Sequence, residues 1–239
     1  MVKDKILSLW QIILGQFCRF FSIVKRSSNL RTRFLSSVVL IIVAIAAILY
    51  SKILFYFLAT IIIFLMTHEW CDLTKRSKNQ GRWLLFGLIY IVTPMTSLFI
   101  LHDFNKNILL WLFAVVAATD TFAYFAGKAI GGPKMSPKIS PNKTWSGLIF
   151  GVISAILVGS LSSIMFAGSA VFFAVISAVM ALLAQGGDLI ESKIKRIFDV
   201  KDSGNIIPGH GGILDRFDGI ILVAPFVLVA YLVFPGSLI

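Results

Sequence analysis

Seven long apolar runs divide this sequence and leave few folds open to it. Each run is close to the ~17–25 residues that a helix needs to cross a bilayer. They cover residues 34–50, 53–70, 84–101, 108–126, 145–166, 170–190 and 219–234. A further segment, 6–24, mixes apolar residues with Gln and Arg. It is either an eighth membrane helix or a helix that lies in the membrane interface, and we favour the interfacial helix. The sequence therefore predicts an all-α, polytopic integral membrane protein with seven to eight transmembrane helices.

Composition supports lipid as the solvent of this chain. Hydrophobic residues make up 58% of the sequence, charged residues 14%, and the mean hydropathy is +0.91. Soluble domains average about 45–50% apolar and about 25% charged residues. The net charge of +11 would suggest a nucleic-acid partner in a soluble protein, but in a membrane protein the position of the charges matters more than their sign. We therefore expect no nucleic-acid partner. Cys18 and Cys71 lack metal-type spacing.

The distribution of lysine and arginine predicts the orientation. If every run crosses once, all 22 of these residues except Lys52 and Lys106 fall on one side of the membrane. The positive-inside rule makes that side cytoplasmic. We expect a protein of the cell inner membrane with a basic N-terminal segment (1–33), N-terminal transmembrane helices (34–107) and a catalytic transmembrane region (108–239). Cytoplasmic loops are expected at 127–144 and 191–217.

Acidic residues cluster around the last two runs. Asp188 shares a helical face with Ser192 and Lys195, and Asp215 and Asp218 are one helical turn apart. Carboxylates arriving from two helices beside several lysines suit a hard divalent cation that binds a phosphorylated ligand. The alternative is that these residues cap helix ends, with Asp218 at the N-cap of the last span.

The connection between these helices is rich in glycine. Residues 201–212 contain four glycines and one proline, which allow the backbone to approach a ligand and to present its N–H groups. The pattern does not match a Walker A loop or a Rossmann fingerprint. A plain flexible loop remains the alternative interpretation.

Two motifs resemble one known family. The first comprises Ser192-Lys193-Ile194-Lys195-Arg196, Lys201-Asp202-Ser203-Gly204, Pro208-Gly209-His210-Gly211-Gly212 and Asp215-Arg216-Phe217-Asp218. It is similar to the signature of the phosphatidate cytidylyltransferase (CDP-diacylglycerol synthase) family. A second match comprises Asp120-Thr121-Phe122-Ala123-Tyr124, Gly127-Lys128, Gly131, Ser140-Pro141-Asn142-Lys143-Thr144-Trp145 and Gln185-Gly186-Gly187-Asp188. The resemblance covers about half of the chain, from Asp120 to the C-terminus. Ser146 departs from it, because many relatives carry Glu or Gln there.

The resemblance implies a reaction and a set of roles. CTP and phosphatidate would give CDP-diacylglycerol and pyrophosphate, chiefly through positioning and charge neutralisation. Mg²⁺ is the implied cofactor, with room for an additional monovalent cation. Asp188 and Asp215 are the expected metal ligands, and Asp218 is a third ligand or a partner of one. Expected catalytic residues also include Lys201 and His210. Expected substrate-binding residues are Asp120, Lys128, Lys143, Ser192, Lys195, Arg196, Gly211, Gly212 and Arg216. Membrane lipids are expected partners, and the family implies a homodimer.

Asp120 and Glu69 interrupt apolar runs and carry two interpretations each. Asp120 either faces a polar cavity or anchors neighbouring helices. Glu69 either pairs with Lys75 or Arg82 or lines the site. Trp83, Trp111 and Trp145 are expected to anchor the membrane interface.

Two other functions fit parts of the pattern. A CTP-dependent kinase of a polyprenol-type lipid alcohol would move the γ-phosphate and release CDP. A cation-coupled transporter would use Asp120 and Asp188 as coupling residues, but it leaves the lysine- and glycine-rich loop without a role.

Overall fold

The computed structural model describes residues 42–75, 77–204 and 211–235. Residues 42–50 are helical. Six longer helices follow: α1 (Lys52–Thr74), α2 (Gln80–Phe104), α3 (Lys106–Ala129), α4 (Trp145–Ser162), α5 (Ala170–Ile197) and α6 (Leu214–Val233). A two-stranded hairpin, β1 (Lys134–Ser136) and β2 (Ser140–Thr144), separates α3 from α4, and a 3₁₀ helix (Ser163–Phe166) follows α4. The N-terminal segment 1–33 with the helix predicted at 6–24, and His210, lie outside the described residues.

The six helices are long and apolar enough to cross a membrane. They correspond to six of the seven predicted spans. Of the remaining predicted span, 34–50, the described residues 42–50 are helical. The last helix begins five residues before its predicted start, so Asp218 lies in the second turn of α6 and the N-cap is Ile213. The N-cap interpretation of Asp218 was therefore wrong.

The hairpin lies within the predicted loop 127–144 and adds a small β element to the mostly helical fold. The two strands are antiparallel and pair Lys134 with Thr144 and Ser136 with Ser140. Gly131 and Gly132, just before β1, adopt positive φ angles of 67° and 101°, which side chains rarely allow. Prolines at 133, 137 and 141 remove N–H donors that a helix would need. The segment therefore folds as an extended hairpin at the end of the helices.

Polar residues separate one helix from the next. Four helices start at a residue whose side-chain oxygen accepts a hydrogen bond from the backbone N–H two or three residues later, which satisfies one of the free donors of the first turn. These residues are Ser51 for α1, Asn105 for α3, Thr144 for α4 and Ser169 for α5. These N-caps explain why the helices begin at defined residues although the apolar runs have similar composition.

Close contacts through glycine bring the later helices together. A Cβ at Gly147 of α4 would lie 2.7 Å from the carbonyl oxygen of Ala123 on α3. A Cβ at Gly187 of α5 would overlap the carbonyl oxygen of Asp218 on α6. Small residues allow backbones to approach in this way in membrane bundles. The contact at Gly187 sets Asp188 of α5 beside Asp218 of α6.

Trp111 lies in the core and not at the interface, which corrects one sequence prediction. It is 1% exposed, and its indole Nε1 donates a hydrogen bond of 3.0 Å to Ser177 Oγ on α5. Phe173 packs edge-on against its ring. A buried indole with a satisfied N–H links α3 to α5 near the start of α5.

Contacts near the ends of the helices show which helix ends lie on the same side of the bundle. At one end of the bundle, Lys52 and Tyr56 of α1 both bind Asp103 of α2. At the other end, Glu69 of α1 binds Ile213 and Leu214 at the start of α6. The hairpin reaches the C-terminal half of α5 on this second side, through Lys143 and Asp188. We call this second side the site end.

Candidate active site

A cavity of about 500 Å³ opens at the site end between α3, α4, α5 and the hairpin. Three lysines line it, and two carboxylates face them from neighbouring helices. The polar lining residues are Asp120, Tyr124, Lys128, Lys134, Ser140, Asn142, Lys143, Thr144, Gln185 and Asp188. A volume of this size is ordinary for a small-molecule site. Its lysines suit an anionic ligand, because their ammonium groups are strong donors to phosphate oxygens.

Lys143 and Asp188 form the central ion pair of the cavity. Lys143 Nζ lies 2.6 Å from Asp188 Oδ2 and also donates a hydrogen bond of 3.4 Å to the carbonyl oxygen of Gln185. Ser192 Oγ, one turn further along α5, donates a hydrogen bond of 3.2 Å to Asp188 Oδ1. The extended β2 strand carries Lys143 to α5, and the helical period aligns Ser192 with Asp188.

Asp120 lies on the opposite wall, on α3. Gln185 Nε2 donates a hydrogen bond of 3.1 Å to Asp120 Oδ1 and so joins α3 to α5. Both interpretations of Asp120 thus apply, since it lines the cavity and also anchors two helices. Asp120 and Asp188 thus line the same cavity from α3 and α5.

A second polar cluster lies where α5 meets the start of α6. Lys195 Nζ binds Glu191 Oε1 at 3.1 Å and Asp215 Oδ1 at 2.5 Å. The three side chains are only 11%, 3% and 11% exposed, respectively. Burial of charge is costly unless the groups are paired. This cluster therefore holds α5 and α6 together through one cation and two carboxylates.

The other oxygen of Asp215 organises the described flanks of the glycine-rich loop. Asp215 Oδ2 accepts hydrogen bonds from the backbone N–H and hydroxyl of Ser203, both at 3.0 Å, and from the N–H of Gly212 at 2.9 Å. Gly211 has a φ angle of 83°, so the chain turns back here through a conformation that favours glycine. The loop is therefore tied to α6 by one carboxylate.

Glu69 contacts neither of the basic residues that the sequence suggested. Its carboxylate accepts hydrogen bonds from Ile213 N, Leu214 N and Ser203 Oγ. Lys75 instead pairs with Asp72 at 3.0 Å. The pairing of Glu69 with Lys75 was therefore wrong, and the carboxylate serves the start of α6.

The residues predicted for the site lie in the cavity, in the second polar cluster, or exposed on the surface. The cavity holds Asp120, Lys128, Lys143 and Asp188, with Ser192 bonded to Asp188. The second cluster holds Lys195, Gly212 and Asp215, with Gly211 beside Asp215. Asp218 lies on α6 with its backbone against Gly187 of α5, and its Oδ1 accepts a hydrogen bond of 2.6 Å from the N–H of Gly219. Arg196 is exposed and donates a hydrogen bond of 3.2 Å to the carbonyl oxygen of Val200, and Lys201 and Arg216 are exposed.

Several cavity residues were not among the predicted binding residues. They are Tyr124, Lys134, Ser140, Asn142, Thr144 and Gln185. All except Lys134 lie within the motifs quoted above, so their motif membership was a usable signal. Lys134 follows Gly131-Gly132-Pro133. Prediction of the hairpin would have placed it next to the cavity residues of β2. The Ser146 hydroxyl donates a hydrogen bond of 2.5 Å to the carbonyl oxygen of Gly131.

The donor chemistry of the cavity fits a magnesium ion only in part. Mg²⁺ prefers oxygen ligands and often takes one or two carboxylates together with substrate phosphates. Asp188 and Asp120 meet this description at the cavity wall. Asp215 is engaged by Lys195, Ser203 and Gly212, which a metal there would have to displace. Within residues 42–75, 77–204 and 211–235, no group of three or more His, Cys, Asp or Glu residues is arranged to hold a metal ion.

The fold and the site together define a class: a multi-span helical membrane protein with a lysine-lined polar cavity at its helix ends. Sequence comparison gives the family. A model of the cytidylyltransferase family matches residues 79–234, and the chain belongs to this family.

Relatives in bacteria carry a more specific name. The chain is 42% identical over 213 residues to a phosphatidate cytidylyltransferase of Rickettsia typhi, which covers 85% of this chain and 92% of the relative. It is 46% identical over 211 residues to one of Rickettsia bellii, covering 84% and 90%. It is 43% identical over 156 residues to a phosphatidate cytidylyltransferase of Brucella abortus, covering 64% of this chain and 58% of the relative.

Proposed function

We propose that this protein transfers the cytidylyl group of CTP to phosphatidate and releases CDP-diacylglycerol and pyrophosphate. The observation that carries the proposal is a cavity with three lysines and two carboxylates at the ends of membrane helices. The relatives named phosphatidate cytidylyltransferase support the choice of substrates. A membrane lipid and a soluble nucleotide can both reach a site in this position.

The reaction is a displacement at phosphorus. A phosphate oxygen of phosphatidate forms a bond to the α-phosphorus of CTP, and the bond from that phosphorus to the bridging oxygen of the β-phosphate breaks. Pyrophosphate takes the bonding electrons. Because the reactants are both anionic, the main tasks of the protein are neutralisation and alignment. A phosphate monoester is largely ionised at neutral pH, so the attacking oxygen needs no dedicated base.

Three lysines are proposed to neutralise the negative charges of the bound phosphates. Lys128 and Lys134 face the cavity from α3 and β1 without a carboxylate partner among their described contacts, and are free to bind phosphate oxygens. Lys143 is paired with Asp188 and exchanges this partner for a phosphate when CTP binds. Such an exchange keeps each charge compensated throughout, which avoids the cost of an unpaired charge.

Asp188 is the residue we propose as the main ligand of Mg²⁺, with Asp120 and Asp218 beside it. When bound, the ion neutralises the triphosphate and helps to orient its α-phosphate. Once Lys143 turns to a phosphate, an oxygen of Asp188 is released towards the cavity. Ser192 keeps the other oxygen in place. Asp215 positions the loop, and Lys201 and His210 are proposed to bind phosphates from that loop.

We also propose the orientation and the assembly. The site end carries the basic connections, so the positive-inside rule places the cavity at the cytoplasmic face of the inner membrane. Family membership supports the proposal of a homodimer. An additional monovalent cation beside Mg²⁺ is part of the same proposal. Cysteine accessibility from the two sides of sealed vesicles tests the orientation, and crosslinking in native membranes tests the dimer.

The activity is tested with purified protein, CTP, phosphatidate vesicles and Mg²⁺. The expected products are CDP-diacylglycerol and pyrophosphate in equal amounts. With a polyprenol supplied in place of phosphatidate, formation of CDP and polyprenyl phosphate would replace the proposal by the kinase. Cation flux without nucleotide turnover would replace it by the transporter.

Lys134 supplies a prediction that separates cavity residues from other charged residues of the hairpin. Lys134→Ala is expected to raise the KM for CTP about tenfold, because a hydrogen bond to a charged group contributes about 1.5–3 kcal/mol. Lys138→Ala is the matched control, since Lys138 is exposed in the same hairpin and does not line the cavity. Initial rates over a range of CTP concentrations measure both. Equal KM values in the two variants would contradict a role for Lys134.

A further inference from the structure

Glu69 is nearly inaccessible although it carries a charge at the end of a membrane helix. It is 2% exposed. Its Oε1 accepts the N–H of Ile213 at 2.9 Å, and its Oε2 accepts the N–H of Leu214 at 3.0 Å and the hydroxyl of Ser203 at 3.2 Å. Ile213 and Leu214 are the N-cap and the first residue of α6. A side chain from α1 therefore caps α6, whose own N-cap residue has no side-chain oxygen.

The chain on both sides of the glycine-rich loop closes around this carboxylate. A Cβ at Gly204 would lie 2.6 Å from Glu69 Oε1, and a Cβ at Gly212 would lie 2.6 Å from Glu69 Oε2. Neither glycine has a positive φ angle, so the need for glycine comes from the contact and not from the backbone. Glu69 therefore accounts for the glycine at 204, and Glu69 together with the still closer hydroxyl of Ser203 accounts for the glycine at 212.

Ser203 connects Glu69 to the ion-paired cluster. Its hydroxyl lies 3.2 Å from Glu69 Oε2 and 3.0 Å from Asp215 Oδ2. Since a hydroxyl has one proton, it donates to one carboxylate at a time, while the Ser203 N–H remains on Asp215. Asp215 then binds Lys195. Polar contacts thus run without interruption from α1 to α5.

We infer that Glu69 is a positioning residue for cytidylyl transfer: it fixes the start of α6 and the flanks of the glycine-rich loop relative to α5. The inference rests on the proposed function. Asp215 and Asp218 follow the capped turn directly, so a shift of that turn moves both carboxylates relative to Asp188. Glu69 itself does not line the cavity. It also lies before residues 79–234, the part that the family model matches.

Glu69→Gln tests this role while it preserves the size of the side chain. One amide oxygen can still accept a hydrogen bond, but the NH₂ group is a donor and would face an N–H or O–H donor. We expect kcat to fall about 10- to 100-fold, because small displacements of reacting groups have effects of this order. The KM for CTP is expected to change less than about threefold, because the cavity lysines are untouched.

Asp72→Asn is the matched control. Asp72 lies on the same helix, is exposed, and binds Lys75 and His68 on the outside of the bundle. The change removes the same charge at the same end of α1 without touching α6. We expect wild-type kcat and KM. A second measurement is the rate of tryptic cleavage after Lys201, which is expected to rise in Glu69→Gln and to stay unchanged in Asp72→Asn.

Ser203→Ala provides a second variant if Glu69→Gln folds poorly. It removes only the hydroxyl that joins Glu69 and Asp215, and we expect kcat to fall about threefold to tenfold. The positioning role is overturned if Glu69→Gln and Ser203→Ala both keep wild-type kcat. It is also overturned if the loss of kcat only follows the loss of folded protein in thermal unfolding. Absence of turnover in the wild-type protein would instead overturn the proposed function, and the cleavage measurement remains decisive for Glu69 in that case.

Discussion

Replacement of Asp188 by asparagine is expected to lower kcat about 1,000-fold while the protein still inserts into the membrane. The reason is that an amide is a weak ligand for Mg²⁺, and an ion that neutralises a triphosphate contributes several kcal/mol to the transition state. The amide also leaves Lys143 without its anionic partner. Turnover of CTP with saturating phosphatidate measures the effect, and membrane fractionation checks insertion.

Ser192→Ala is the control for this experiment. It removes the hydroxyl that holds one oxygen of Asp188 and keeps the carboxylate, so a loss of about tenfold or less is expected. The Mg²⁺ concentration that gives half-maximal rate is expected to rise in Asp188→Asn and to change little in Ser192→Ala. Half or more of the wild-type activity in Asp188→Asn would exclude Asp188 as the metal ligand.

Replacement of Lys195 by methionine is expected to destabilise the protein by about 3–5 kcal/mol. The methionine fills most of the volume but leaves Glu191 and Asp215 buried without their common cation. Two carboxylates that are 3% and 11% exposed cannot recover that loss from water. Thermal unfolding in detergent measures the effect, and activity is expected to fall in parallel because Asp215, which holds the loop, is no longer fixed to α5 by Lys195.

Two further variants define the cause. Lys193→Met removes an exposed lysine two residues earlier on α5 and is expected to leave the unfolding temperature unchanged. Glu191→Gln combined with Lys195→Met removes one of the two orphaned charges and is expected to recover part of the lost stability. An unfolding temperature of Lys195→Met equal to that of Lys193→Met would contradict the buried ion-pair cluster.

The sequence predicted the helices well because hydropathy and length are local properties. Six runs matched helices, with ends within four residues except that α5 ends seven residues later and α6 begins five residues earlier than predicted. Caps such as Thr144 and Ser169 mark where a run begins. The start of α6 was placed too late because Asp215 and Asp218 appeared too polar for a span. The structure satisfies them within the bundle, through contacts that hydropathy does not represent.

The cavity was predicted in part. Asp188 came from the acidic cluster and the role of Lys143 from the family resemblance, and the structure pairs them. Spacing along a helix correctly aligned Ser192 with Asp188, but it does not determine which residues from other helices meet them. Lys195 was expected at the substrates and Asp215 at the metal, and the structure shows that these two residues also bind one another. Spacing does not reveal this contact, because the partners are 20 residues apart and joined by a loop.

Trp111 and Glu69 show why single residues near helix ends are hard to interpret. Tryptophan favours the interface in general, but Trp111 faces Ser177 and is buried. A glutamate near lysines suggests an ion pair, but Glu69 faces the free N–H groups of α6. In each case, tertiary neighbours decided the role, and they are far away in the sequence.

The contact at Gly187 has a consequence for how the site can change over time. The backbones of α5 and α6 touch there with no side chain between them, because a Cβ would overlap the carbonyl oxygen of Asp218. Any larger residue acts as a spacer that pushes the two carboxyl-bearing helices apart. A position with no functional group thus sets the gap between Asp188 and Asp218. A substitution at Gly187 therefore changes the distance between Asp188 and Asp218, so residue changes at these three positions are expected to depend on one another.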